Sequence, residues 1–318
     1  MNKKLVVVVG ATGQQGGSVV RSLLQNENYT VRGLTRNLES ESSRALIREG
    51  TSMVYADINN LDDLIQAFKS AYAIFGVTDF GAQIREHGPK AAAEAETQQG
   101  INIAQAAAAT PSLEHLVWST IPSAWAISSG RMTVPHFESK AKVDDYIIRS
   151  HEELAKKTTF LWVGYYASNV LAPAMKPTCH ATSGKDVWLS PVAARTELLS
   201  IGSPGANVGV FVHAILDLPH LTLPAKYVMA QVECTTLGTM MESYGSITGR
   251  PTQLICIGPA AFRELFPEWD AVAKMLEFWE VFGSRSFAKY GVEPLTAADL
   301  SLDIGSLVST KQALKMML

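Results

Sequence analysis

Three groups of residues have types and spacings that could do chemistry. The first is Gly10-Ala-Thr-Gly13-Gln-Gln-Gly16-Gly17, which follows the β-branched run Leu5 to Val9 and precedes an apolar helix pattern. Gly10 suits a tight turn, Gly13 a close backbone approach and Gly16 close packing of helix on strand. The first-turn N–H groups of such a helix have no internal acceptors. With Thr12, Gln14 and Gln15 around them, they could hold a pyrophosphate. A plain turn would use the same glycines, but the strand before and the helix after favour a dinucleotide.

The second group lies at strand ends. Arg36 follows the strand-like segment Tyr29 to Leu34, where an NAD-binding sheet usually carries an acidic residue for the ribose 2′-OH. No Asp or Glu stands there. A guanidinium suits a 2′-phosphate, so the expected cofactor is NADP(H). Asp57 and Ile58 could border the adenine, and Thr78, Asp79 and Phe80 could pass under the nicotinamide-side ribose; Ser119 to Ile121 end a further strand. Ordinary turn chemistry is the alternative for each.

The third group is His136 and Lys140, one helical turn apart and so on one face, with Asp144 a further turn along. A lysine near the nicotinamide could bind its ribose and favour alkoxide development. A histidine of ordinary pKa suits proton transfer. A solvated charge and a packing role are the plain alternatives. No metal pattern is present: the three cysteines, Cys179, Cys234 and Cys256, form no CxxC pair. They are expected to be small buried hydrophobes.

The elements that must position these groups alternate. Strand-like runs at Leu5–Val9, Tyr29–Leu34, Ser52–Tyr55, Tyr72–Val77, His115–Ser119 and Thr159–Val163 are separated by helix patterns. Those patterns cover Ser18–Gln25, Ser42–Glu49, Leu61–Phe68, Ala91–Ala109 and Phe137–Arg149, the last with Pro135 in its first turn. The alternation predicts an α/β fold, a Rossmann-type doubly wound parallel sheet over residues 1–170. Residues 171–318 are expected to be mainly a smaller C-terminal α/β substrate domain, with some segments returning to the sheet. Ile121 to Val134 reads as a mobile loop overhanging the nicotinamide, which makes Trp125 and Met132 candidate pocket residues. The aromatic cluster from Phe262 to Tyr290, with Trp269 and Trp279, is expected mainly as core, some of it lining a pocket.

The chain resembles the NmrA-like family of atypical short-chain dehydrogenase/reductases. The resemblance rests on Gly10 to Gly17, Leu34-Thr-Arg36, Val134-Pro-His-Phe-Glu-Ser-Lys140 and Val163-Gly-Tyr-Tyr-Ala-Ser-Asn169, which span most of residues 5–170. It implies a domain that binds NADP(H) under a smaller C-terminal domain, in a family of secondary-metabolite reductases and cofactor-sensing regulators. The wider superfamily uses Tyr-x-x-x-Lys; here His136 stands at the tyrosine place, as is common in this branch. The proton donor is therefore open. Lys140 is implied for ribose contact and catalysis. Tyr165, Tyr166 and Asn169 are candidates to line the nicotinamide or donate a proton, with packing as the alternative.

Composition excludes other classes. Basic and acidic residues number 27 and 30, a net charge of −3, which argues against a nucleic-acid binder. At 47% hydrophobic and 18% charged, the chain is too apolar for disorder. No apolar run approaches the ~20 residues of a membrane span. Met1-Asn2-Lys3-Lys4 is followed by an apolar run too short for a signal peptide, so a cytoplasmic location is expected. The expected function is an NADPH-dependent oxidoreductase reducing a carbonyl or activated double bond of a small apolar or aromatic molecule. The alternatives are an NADP(H)-binding sensor with a protein partner, and a redox-neutral dehydratase or cyclase.

Overall fold

The computed structural model describes residues 3–318, so Met1 and Asn2 of the basic opening lie outside the described residues. Strands β1 (Lys4–Val8), β2 (Tyr29–Thr35), β3 (Ser52–Tyr55), β4 (Ala73–Gly76), β5 (His115–Thr120) and β6 (Thr158–Val163) come first. Between them run helices α1 (Gln14–Leu24), α2 (Glu41–Arg48), α3 (Leu61–Ala67), α4 (Phe80–Ala108), α5 (Ala124–Ile127), α6 (Pro135–Ser150) and α7 (Glu152–Lys156). The later strands are β7 (Tyr165–Tyr166), β8 (Thr178–His180), β9 (Lys185–Ser190), β10 (Glu197–Gly202), β11 (Lys226–Ala230), β12 (Glu233–Thr236) and β13 (Thr252–Cys256). The later helices are α8 (Pro204–Asp217), α9 (Pro219–Thr222), α10 (Leu237–Thr248), α11 (Gly258–Leu265), α12 (Asp270–Phe282) and α13 (Thr310–Met317).

Seven strands form one sheet in the order β11-β6-β5-β4-β1-β2-β3, and every pairing in it is parallel. This is the expected Rossmann-type sheet. The strand order reverses between β1 and β4, which opens a crevice at their carboxyl ends. β1 can run through the centre because Val6, Val7 and Val8 are apolar to both faces and fully buried. On one face, Val19, Val20 and Leu23 of α1 pack with Phe211, Val212 and Ile215 of α8. On the other face, Leu64, Ile103, Val143 and Ile147 from α3, α4 and α6 share a core. α8 and β11 thus belong to the sheet layers although they lie far along the chain. Glycine makes the α1–α8 contact possible: a Cβ on Gly209 would overlap the Ser18 carbonyl oxygen. The Gly209 N–H instead donates to Ser18 Oγ at 2.8 Å.

Two three-stranded sheets, β12-β10-β7 and β13-β9-β8, make up the remainder. A third core joins them to the first half, because Phe137 of α6 and Tyr165 of β7 pack among Trp188, Met240, Phe278 and Trp279.

Three local expectations are corrected. The helix expected over 91–109 starts at Phe80, where Asp79 Oδ1 caps the Ala82 N–H at 3.1 Å; it kinks at Gly88 (φ 76°), which the Ala-rich pattern does not announce. The stretch 121–134 is a loop holding one short helix, α5, and it is tied down where it was expected to be mobile. Ser123 caps α5 and donates to Glu138 Oε2 at 2.6 Å, and Glu138 Oε1 accepts the Trp125 N–H at 2.8 Å. All three cysteines are exposed and none is buried. Cys179, Cys234 and Cys256 lie on β8, β12 and β13 of the small sheets.

Candidate functional site

A cleft of about 1120 Å³ runs along the carboxyl end of the large sheet, between the glycine turn and α12. Gly10, Thr12, Gly13, Gln14, Gln15 and Gly16 form its floor. The turn needs glycine at two places. Gly10 has φ +64°, and a Cβ on Gly16 would overlap the Gly10 carbonyl oxygen. No side chain caps the first turn of α1, so its N–H groups stay available to an anion. Arg36 and Ile58 line the same end, and Arg36 is exposed with no carboxylate partner among the described residues. A dinucleotide fits this set: a cradle that tolerates no Cβ, uncapped donors and an uncommitted guanidinium. Asp57 does not line the cleft; its Oδ1 accepts both the backbone and side-chain N–H of Asn59 at 2.9 Å, an Asx-type turn.

Thr78, Asp79, Phe80, His136, Lys140, Tyr165, Tyr166 and Asn169 line the other end, so the structure brings these predicted residues together. Trp125 and Met132 do not line it. Glu138 holds α5 so that Trp125 lies over Gly130, 53% exposed. The far wall comes from Trp269, Val272, Met275 and Trp279, on α12 and the turn before it. Phe278 and Phe262 are core, as expected, while Tyr290 is fully exposed.

Lys140 is not a free charge. Its Nζ donates to the Thr78 carbonyl at 3.2 Å, to Thr78 Oγ1 at 2.6 Å and to Glu96 Oε1 at 2.6 Å. An ammonium has three protons, so all are committed. Glu96 is 1% exposed and also accepts from Thr78 Oγ1 (2.9 Å) and Ser139 Oγ. Sequence reasoning missed Glu96. The signal was present: it shares a helix stripe with Ala92, Gly100, Ile103 and Ala107, where a lone carboxylate needs a buried partner.

The histidine does not have its ordinary acidity. Burial pushes His136 down to about 4; Lys140 adds to the fall and Glu96 opposes it. The ring is therefore neutral at pH 7, wedged between Phe80 and Phe137 at 5.3 and 4.9 Å. Tyr165 points its hydroxyl at Met175 Sδ (3.8 Å) and sets its ring edge-on to Trp279, and burial raises its pKa. Tyr166 faces the other way, as adjacent strand residues do. Its hydroxyl accepts from Gln15 Nε2, while Gln15 Oε1 accepts from Ser119 Oγ at 2.8 Å. Burial pushes Tyr166 up to about 12; Asp79 and Glu96 add to this and the Gln15 bond opposes it. Asp144, below Lys140 on α6, accepts from Trp118 Nε1 (2.9 Å) and Thr120 Oγ1 (2.7 Å). Burial raises it to about 7.

Among the described residues there is no cluster of metal ligands, and no helix is long and apolar enough to cross a membrane.

The NmrA-like family model matches residues 2–302. The NmrA-like family domain-containing oxidoreductase FrzB of Cladobotryum sp is 29% identical over 93% of this chain and 90% of its own. Among solved structures, the negative transcriptional regulator NmrA in complex with NADP superposes with a TM-score of 0.75 at 17% identity, over 99% of this chain and 95% of its own. The NADPH-dependent quinone oxidoreductase of Escherichia coli, complexed with NADPH, reaches 0.70 at 14% identity, over 98% and 99%. A regulator and a reductase thus share this fold, so the fold does not choose between them. The match over nearly the whole length places the chain by descent: it belongs to the NmrA-like family, beside relatives named as oxidoreductases.

Proposed function

We propose that the chain is an NADPH-dependent reductase acting on a carbonyl or activated double bond of a small, uncharged, apolar or aromatic substrate. The observation that carries this reading is the continuity of one cleft from the glycine turn to a recess walled by Phe80, His136, Tyr165, Trp269, Met275 and Trp279. The whole cleft measures about 1120 Å³, and the recess is its end away from Arg36 and Ile58.

In this reading Gly10 to Gly16 and the first turn of α1 hold the pyrophosphate, and Arg36 selects the 2′-phosphate. The bound dinucleotide supplies the hydride. Thr78, Asp79, Phe80 and Asn169 border its nicotinamide half. Lys140, with its charge answered by Glu96, fixes the Thr78 strand end, and it reaches a ribose only by giving up one Thr78 bond. Neutral His136 and the aromatic wall exclude water and select uncharged rings. FrzB, named as an oxidoreductase, supports a reductase; a cytoplasmic location belongs to the same proposal.

The test is loss of NADPH on incubation with a panel of aryl aldehydes, ketones and quinones, beside calorimetry with all four nicotinamide dinucleotides. Turnover with NADPH and none with NADH is expected. Tight, redox-selective binding with no turnover would turn the assignment to a sensor. The saturated hydrogen bonding of Lys140 is the observation that favours that second reading. Product formation without NADPH loss would mark the redox-neutral alternative.

A further inference from the structure

The reductase reading leaves open which group hands a proton to the reduced substrate. The protic groups on the recess side of the cleft can be taken one at a time. Lys140 has all three protons committed to Thr78 and Glu96. Thr120 Oγ1 donates to Asp144 and Ser119 Oγ to Gln15. The Tyr165 hydroxyl is turned to Met175. His136 is a neutral imidazole, whose remaining N–H is a very weak acid.

Tyr166 differs. Gln15 Nε2 donates to its oxygen, and that oxygen donates to no acceptor among the described residues. On the far side of the same amide, Ser119 Oγ donates to Gln15 Oε1. The phenol therefore keeps its own proton free while its lone pair is held.

We propose that Tyr166 is the proton donor of the proposed reduction, and that Gln15 and Ser119 are positioning residues that keep its O–H directed into the cleft. This rests on the reductase reading. A carbonyl carbon that takes the hydride of bound NADPH leaves the π pair on its oxygen. That oxygen forms an O–H bond with the Tyr166 proton as the Tyr166 O–H bond breaks. The phenolate stays within reach of the Gln15 N–H and regains a proton from solvent; a group whose phenol is this weakly acidic reprotonates readily at neutral pH. The superfamily tyrosine site on α6, now His136, would then be answered from β7 across the cleft.

The experiment has two arms. The first is NMR of protein labelled at tyrosine Cζ, whose resonance reports hydrogen bonding at the phenol. Tyr166 is assigned by its disappearance in Tyr166→Phe. Gln15→Leu and Ser119→Ala should both move that resonance; if neither does, the relay does not exist and the inference falls, with or without turnover. The second arm is NADPH-dependent reduction of 4-nitrobenzaldehyde. Tyr166→Phe should lower kcat by about 10²-fold or more with NADPH affinity retained, and Gln15→Leu should lower it less. Unchanged kcat in Tyr166→Phe, or an equal loss in Tyr165→Phe, overturns the assignment. A wild-type protein inert to the whole carbonyl panel would sink the reductase reading and this donor role with it. A shifted resonance would then show only that the phenol is oriented.

Discussion

The two walls of the cleft are built on different principles. The sheet wall is polar: a glycine turn with uncapped N–H groups, the strand ends of β2, β4 and β5, and the hydrogen-bonded Thr78–Glu96–Lys140 knot. The opposite wall is apolar and assembled from afar, with Trp269, Val272, Met275 and Trp279 brought in by α12. In the proposed function the sheet wall would meet a dinucleotide, so its geometry leaves little freedom. The α12 wall would meet the substrate, and apolar packing tolerates exchange better than a hydrogen-bonded knot does. Changes on the first wall should therefore affect dinucleotide binding and stability. Changes on the second should move substrate preference and leave dinucleotide binding unchanged.

The sharpest break is expected at Gly16→Ala. The new Cβ would meet the Gly10 carbonyl with no flexible side chain to yield. The turn must open, at a cost of about 1–3 kcal/mol from overpacking. Calorimetry should find dinucleotide binding lost, and a variant that binds NADPH normally would deny the turn its role. Next comes Glu96→Gln. Removing one partner of a buried pair typically costs about 3–5 kcal/mol. Here the Lys140 side chain is 16% exposed against 1% for Glu96, so the lower end is expected. Urea unfolding measures it, and Glu96→Gln/Lys140→Met should recover part of the loss. No recovery would mean that Glu96 acts through Ser139 and Thr78 and not through the lysine.

The same contrast explains what could be read from the chain. β1, the glycine turn and Arg36 all lie in the first βαβ unit, so their chemistry appears as spacing. Along α12, Val272, Met275, Leu276 and Trp279 recur at helical intervals. Periodicity says which face is buried but not whether the burial is against core or against a ligand. Trp125 was misplaced because the clamp that turns it outward, Glu138, lies on the next helix. Glu96 was missed because its partner is 44 residues away. Tyr165 and Tyr166 were indistinguishable until strand alternation sent one to Met175 and the other to Gln15.

The sheet side also carries buried titratable groups whose signs oppose one another. Burial holds His136 and His115 at about 4, against 6.5 when exposed. The unfolded chain thus binds more protons between about pH 4 and 6.5, and stability rises with pH across that window. Asp144 stands at about 7 against 3.8, so the folded chain holds its extra proton between those values. Its contribution is present below about pH 4 and is lost as pH rises through 7. Asp144→Asn keeps the acceptor used by Trp118 and Thr120. It should gain on the wild type by up to about 1.4 kcal/mol per pH unit across that window. Parallel stability–pH curves for the two proteins would show that the carboxyl does not titrate there.

The smallest effect is expected on the α12 wall, and it tests the contrast most directly. Trp269 is half-buried at the cleft, beside Phe266 and the small core of Ala174, Phe262 and Ala273. It makes no hydrogen bond to the dinucleotide end among the described residues. Trp269→Ala removes one aromatic face from the recess, a loss of about 1 kcal/mol of ring contact, or roughly fivefold in affinity. KM for an aryl aldehyde should rise by that factor, while NADPH affinity and kcat for a small aliphatic aldehyde stay within error. A fall in NADPH affinity of similar size would mean that the dinucleotide reaches α12. The two walls would then be one site, and the apolar recess would have to be assigned to cofactor instead of substrate.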